Sequence, residues 1–167
     1  IPHQTPQVAI IFVLDRSGSM NALVEDVTRL EIAKQATLTA VGLLNEKSRL
    51  GIIVFSSRAT VLVPLQDAKD EQAVADALAD VVPGGGTSIH PALVAALDEL
   101  RGVDAAARHI VLMSDGITQA GDFNAVLETA LERRITIATV AIGATADSRR
   151  LEQIARLSGG TFHATSD

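Results

Sequence analysis

Asp15, Ser17 and Ser19 stand at alternate positions in the stretch DRSGSM, directly after seven unbroken apolar residues, VAIIFVL. A second polar loop, VPGGGTSIH, carries Thr87 behind three glycines, and a third, LMSDG, carries Asp115. All five side chains offer oxygen, from two carboxylates and three hydroxyls. Hard oxygens without thiolate or imidazole suit magnesium, manganese or calcium, and magnesium in particular binds through one or two carboxylates while keeping several waters. Two carboxylates formally cancel a divalent charge. The remaining donors are neutral, so an open position on the ion would stay electrophilic toward an anionic oxygen from outside, and a partner's Asp or Glu fits it best. Gly18 is expected to permit the turn that aims both serines at one point, and Gly84, Gly85 and Gly86 to let backbone pass close beside Thr87.

The elements that must position these loops follow from hydrophobic periodicity. Val8 to Leu14 is continuously apolar and β-branched, as in a strand covered on both faces. Leu30, Ala33, Thr37, Val41 and Leu44 recur at helical spacing and predict a helix over about 29–45. A second strand covers 50–55. Only Ser56, Ser57 and Arg58 separate it from the β-rich run 59–65, too short for a parallel crossover, so the third strand is antiparallel, and Pro64 suits an edge. Val74, Ala77, Leu78 and Val81 mark a second helix; Pro91, expected at a first helical position, and then Leu93, Leu97 and Leu100 mark a third. His109 to Met113 is a fourth strand, Asp122 caps a helix carrying Phe123 to Leu131, and Ile135 to Ile142 is a fifth strand. A helix over 148–158 stops at Gly159 and Gly160, and 161–165 is a sixth strand.

Strands alternating with helices imply an α/β fold: a doubly wound, Rossmann-like open sheet of six strands, mostly parallel with one antiparallel edge strand, and helices on both faces. Tracking direction strand by strand places all three polar loops on one edge, at the carboxyl ends of the strands, where ligands of such sheets bind.

Composition narrows the function classes. The 167 residues suit one domain, expected to span 1–167 and, because it starts with Ile1 and reaches a strand within a few residues, to be excised from a larger protein. There is no cysteine, which removes disulfides, thiolate metal sites and a cysteine nucleophile. A net charge of -6 is the wrong sign for a nucleic-acid binder, and Phe12, Phe55, Phe123 and Phe162 are the only aromatics, too few for a stacking platform. The apolar runs fall short of the roughly 20 residues a membrane span needs, so direct insertion of this domain in a membrane is not expected.

DRSGSM after a hydrophobic strand, GGGTSIHPAL and HIVLMSDG together resemble the von Willebrand factor A domain with a metal ion-dependent adhesion site, a motif written Asp-x-Ser-x-Ser, then Thr, then Asp. Asp15, Ser17, Ser19, Thr87 and Asp115 match all five positions, and the likeness covers nearly the whole chain. The resemblance implies an octahedral divalent ion, Mg or Mn first and Ca as a further candidate, held partly through water, and a non-enzymatic module that captures a partner's carboxylate. The SGSM variant and alanine-rich body are similar to bacterial members, which often belong to membrane-anchored, cell-surface or chelatase-like assemblies. In adhesion members a helix follows the sixth strand and couples the site to distant docking; this chain is expected to lack it, stopping at Asp167.

Two other readings stay open. A metal-assisted phosphohydrolase of Rossmann-like fold would use acidic loops at strand ends. It would, however, want a second carboxylate where Ser17 stands, and no lysine is expected near the loops to clamp phosphate. A scaffold domain could keep the ion for folding alone. His90, three residues after Thr87, reads as a polar residue at a helix start rather than a base, and His3, His109 and His163 show no ligand spacing. Arg16 either steers an acidic partner or points to water. Gln119 and Asp122 are candidates for the rim of the binding face, and the charged run 67–71 reads as a solvated helix start.

Overall fold

A computed structural model describes residues 8–44, 48–67, 71–103, 105–115, 123–143 and 149–164. At its centre β1 (Val8–Asp15) pairs in parallel with β4 (Arg49–Phe55) on one side and β6 (Ala107–Ser114) on the other. β7 (Ile135–Ala141) and β8 (Phe162–Ala164) continue the sheet beyond β6, both parallel. β5 (Ala59–Asp67) lies antiparallel on β4 at the opposite edge, where Pro64 needs no ladder partner on its outer side. The order β5-β4-β1-β6-β7-β8 is the six-stranded, mostly parallel open sheet expected from the sequence.

Two layers of helix bury its two faces. α1 (Arg29–Leu43) and α2 (Glu71–Ala79) cover one, with Leu30, Ala33, Val41, Val74 and Leu78 packed on Phe12, Leu14, Ile52 and Val54. α3 (Ile89–Glu99), α4 (Phe123–Glu132) and α5 (Arg149–Ser158) cover the other, with Leu93, Val126 and Ile154 among the residues packed with Ala9, Ile11, Val13 and Ile110. The side chains of β1 therefore alternate between two cores, which is why its sequence is apolar without a break. Each large side chain buried this way contributes about 1.5–3 kcal/mol relative to exposure.

Several local features differ from the sequence expectation. A 3-10 turn, Gly18–Asn21, and a small hairpin, β2 (Leu23–Val24) with β3 (Val27–Thr28), fill the stretch between β1 and α1. The hairpin turn holds Glu25 at φ +52 without the Asn-Gly or Gly pairs that announce such turns, so no local signal reveals it. Pro91 is the third residue of α3 rather than the first, still within the turn whose backbone donors lack helical partners. α1 ends at Leu43, and Val81, beyond α2, reaches the core from the following loop. β6 extends to Ala107 and Ser114, because pairing with β1 and β7 continues past the apolar run. The proposed cap Asp122, and residues 68–70 of the charged run, lie outside the described residues.

Phe55 is fully buried at the end of β4, and its carbonyl accepts the Arg16 N–H at 2.8 Å, so it supports the site edge from beneath. Phe55→Ala should lower unfolding free energy by about 3–5 kcal/mol, read as a reduced urea midpoint by circular dichroism.

Candidate functional site

From β1 the chain passes to β4 on one side, and only later returns to β6 on the other. The strand order thus reverses at β1, and the crevice at the carboxyl ends of β1 and β6 is the position where open α/β sheets bind ligands. Leu14 pairs with Met113, so Asp15 and Ser114 end adjacent strands, and Asp115 follows one residue on. Asp15 and Asp115 are fully buried, Ser17 and Thr87 nearly so, and Ser19 is half-buried.

The first loop is folded around Asp15. Its Oδ1 accepts the Ser17 N–H at 2.7 Å and its Oδ2 accepts the Ser114 hydroxyl at 2.7 Å. Ser17 Oγ lies 3.1 Å from Ser19 Oγ. Ser17 precedes the 3-10 turn, yet its side chain makes no capping bond to it, so both serine oxygens are grouped with the carboxylate rather than committed to the turn. Met20, fully buried, anchors the turn from below. Gly18 does not have the left-handed backbone that would require glycine; that role falls to Gly85, at φ +87. A Cβ on Gly85 would also sit 3.2 Å from Ser56 Oγ, so another residue there would be strained and would crowd the hairpin between β4 and β5.

Backbone hydrogen bonds stitch the loops together. Gly18 N–H donates to Gly85 O at 3.0 Å and Gly84 N–H to Arg16 O at 2.7 Å, joining the first loop to the glycine loop. Gly86 N–H donates to Ser57 Oγ at 3.3 Å and Ser88 N–H to Ser56 O at 2.8 Å, which fixes Thr87 between them. Arg16, left open by the sequence, donates from its guanidinium to Val82 O at 3.3 Å and clamps the same two loops. The expectation that no lysine lies near the loops fails: Lys34 of α1 is buried and donates to Val81 O at 2.7 Å, at the base of the glycine loop. Its ammonium is engaged on a carbonyl, because α1 packs against this face and carries it inward.

The two carboxylates are held in different ways. Burial pushes the Asp15 carboxyl above the usual carboxylate range; the bonds from Ser17 and Ser114 oppose this, and the nearby Asp115 carboxylate adds to it. Asp115 Oδ2 faces Arg29 Nη1 at 3.4 Å in a buried ion pair. Ser114 and Arg29 are members of this edge that sequence reasoning missed. Ser114 is detectable in principle, as the residue before Asp115 once β1 and β6 are paired; Arg29 has no local signal. The ring of His90 packs edge-on against Phe123, 5.9 Å between centroids, as befits a residue in the first turn of α3. Gln119 and Asp122 lie outside the described residues. The arrangement suits a hard cation: two carboxylates in electrostatic reach of each other, and hydroxyls gathered beside one of them. Among the described residues no cluster of three His, Cys, Asp or Glu competes as a metal site.

An open, mostly parallel six-stranded sheet with helices on both faces places the domain in the doubly wound α/β class. A family model, von Willebrand factor type A domain, matches residues 9–167, and the chain belongs to that family. It is 31% identical over 157 residues to an uncharacterized protein of Synechocystis sp., covering 92% of this chain and 36% of that protein. The chain thus spans little more than a third of that relative. An aerotolerance-related membrane protein from Bacteroides fragilis has the same fold, with TM-score 0.86 at 21% identity over 95% of this chain and 91% of that one. So does proximal thread matrix protein 1 from the mussel byssus, described with a zinc-occupied metal ion-dependent adhesion motif, at TM-score 0.81 and 21% identity over 97% of this chain and 42% of that one.

The raised Asp15 value has a sign that can be checked in chelator. Below 3.8, its ordinary value, the carboxyl is protonated in both states; as pH rises the unfolded chain releases its proton first, so this group lowers the stability of the metal-free fold until the native value is passed. The stability of Asp15→Asn minus that of wild type should therefore rise with pH from about 4 upward and then level off, measured by urea unfolding across a pH series.

Proposed function

We propose that Asp15, Ser17, Ser19, Thr87 and Asp115 hold a divalent cation, Mg or Mn first and Ca as a further candidate, and that the domain captures a partner protein by an Asp or Glu side chain on that ion. The observation that carries this reading is the burial of two carboxylates from separate loops at the switch point, with the Ser17 and Ser19 hydroxyls 3.1 Å apart beside Asp15. A divalent ion would add positive charge beside such a pair and offer an electrophilic site to an external carboxylate. This chain's own part is to gather the oxygens, to keep them in place through the Gly18–Gly85 and Gly84–Arg16 bonds, and to exclude water from beneath.

Membership of the von Willebrand factor type A family supports an adhesion-type site, and the zinc-occupied motif of the byssus protein supports metal at this edge of the fold. Zinc favours nitrogen and sulfur ligands, whereas every donor here is oxygen, which supports Mg or Mn for this chain. The bacterial membrane protein of like fold supports a membrane-anchored or cell-surface bacterial parent, with residues 1–167 as one domain of it. Among the described residues no helix is long and apolar enough to cross a membrane. The phosphohydrolase reading gains nothing from Lys34, whose ammonium is held by the Val81 carbonyl.

Calorimetric titration of Mg, Mn and zinc into chelator-stripped protein is the direct test, since the chain has no tryptophan or tyrosine for fluorescence. Saturable binding of Mg or Mn to wild type, lost in Asp15→Ala, is the expected outcome. Binding that survives Asp15→Ala, or none with or without an acidic peptide, would reject the assignment.

A further inference from the structure

The edge of the sheet opposite the three polar loops carries a cavity of about 450 Å³. Its walls include Leu100 and Val103 from the turn after α3, Glu132, Arg133 and Arg134 from the end of α4, and Arg108 from β6. Arg108 pairs with Ala9 of β1 and Ile135 of β7, at the amino ends of these strands, so the cavity lies a full strand length from Asp15 and Asp115. The half-buried Arg108 guanidinium ties the two turns together: Nη1 donates to Val103 O and Nη2 to Arg133 O, each at 3.0 Å. Both carbonyls follow the negative ends of helices, so Arg108 already supplies the cation that those ends favour. No carbonyl holds Arg133 or Arg134 in this way. Among the described residues neither guanidinium makes an ion pair or hydrogen bond, although Glu132 lines the same cavity. Arg101, in the turn after α3, is paired with Asp98 at 3.3 Å, and Asp104 lies outside the described residues.

Arg134 also stands at φ +58 directly after α4, the left-handed position at which glycine is the default and a side chain is strained. The chain thus keeps a guanidinium where its backbone favours none. We propose that this cavity binds a phosphate-bearing ligand, contacted by Arg133 and Arg134, with Arg108 holding the two turns that present them. One guanidinium matches a planar carboxylate edge to edge, whereas a tetrahedral phosphate offers oxygens in several directions and suits several guanidiniums at once. The volume falls within the roughly 300–1,000 Å³ of small-molecule sites. No aromatic side chain lines the cavity, so a nucleobase would find no stacking partner there. The recognised group is therefore the phosphate itself, which a soluble phosphorylated ligand or an anionic lipid headgroup would present alike. The chain as a whole carries a net charge of -6, so attraction of an anion falls to these local guanidiniums and is weakened by salt.

The test is calorimetric titration of pyrophosphate in chelator, so that no metal ion bridges it to the opposite edge, beside cosedimentation with vesicles of phosphatidylglycerol or of phosphatidylcholine. Wild type should bind pyrophosphate saturably, which assigns the cavity to a soluble ligand, or sediment with phosphatidylglycerol but not phosphatidylcholine vesicles, which assigns it to a headgroup. Arg134→Gly should weaken that binding by about fivefold, the upper scale for an exposed charge pair. Its melting temperature should be unchanged or raised, because glycine relieves the backbone. Glu132→Gln should tighten binding, and added sodium chloride should weaken it. If Arg134→Gly lowers the melting temperature, Arg133→Gln, which leaves that backbone position untouched, carries the comparison with the same loss expected. Absence of binding to both pyrophosphate and phosphatidylglycerol vesicles would overturn the proposal. So would binding that Arg134→Gly and Arg133→Gln leave unchanged, since the anion would then sit elsewhere on the molecule. Neither result bears on the metal site at the other edge.

Discussion

Burying two carboxylates within electrostatic reach of each other is the constraint to which the rest of this edge answers. In a poorly solvated interior an ionised carboxylate needs hydrogen bonds or an opposite charge, and Asp15 and Asp115 obtain them from different sources. Asp15 is held by a backbone donor two residues ahead and by the Ser114 hydroxyl across the strand pair. Asp115 is paired with Arg29. Burial nonetheless raises the proton affinity of Asp15, the hydrogen bonds from Ser17 and Ser114 opposing it.

The sheet supplies the geometry for this arrangement. β1 is buried on both faces between the two helix layers and paired on both edges, so its carboxyl end is among the most constrained points in the molecule. Loops anchored there inherit that rigidity. Arg16 N–H on Phe55 O ties the first loop to β4, and Ile142 N–H on Ser114 O ties β6 to the end of β7, each at 2.9 Å or less. The glycine loop, which belongs to no strand, is recruited by bonds to Gly18, Arg16, Ser56 and Ser57. An edge made from such parts is held in place by the fold itself.

The elements that bring Arg29 and Lys34 inward are both on α1, which also packs against the core beneath the site. A single helix therefore contributes core, loop support and local charge. Substitutions on its inner face would act on all three.

The amino-acid sequence alone determined much of this protein. The unbroken apolar run before Asp15 specifies a doubly covered strand, the short link after Phe55 forces the antiparallel edge, and the helical spacing of Leu30, Ala33, Thr37 and Val41 places α1. These are local consequences of periodicity and loop length, and the structure has the elements in that order. The grouping of Asp15, Ser17 and Ser19 is likewise local, set by their alternate spacing and one turn. Tertiary structure decided the rest: that Ser114 donates to Asp15, that Gly85 rather than Gly18 has the left-handed backbone, that Arg16 and Lys34 hold the glycine loop, and that Arg29 reaches Asp115 over Gly143. Each of these joins residues from separate elements, Arg29 and Asp115 being 86 positions apart. Periodicity reports which face of an element is buried, whereas the side chain that meets a given carboxylate depends on strand order, register and the start of a helix after a hairpin, which the folded chain alone brings together.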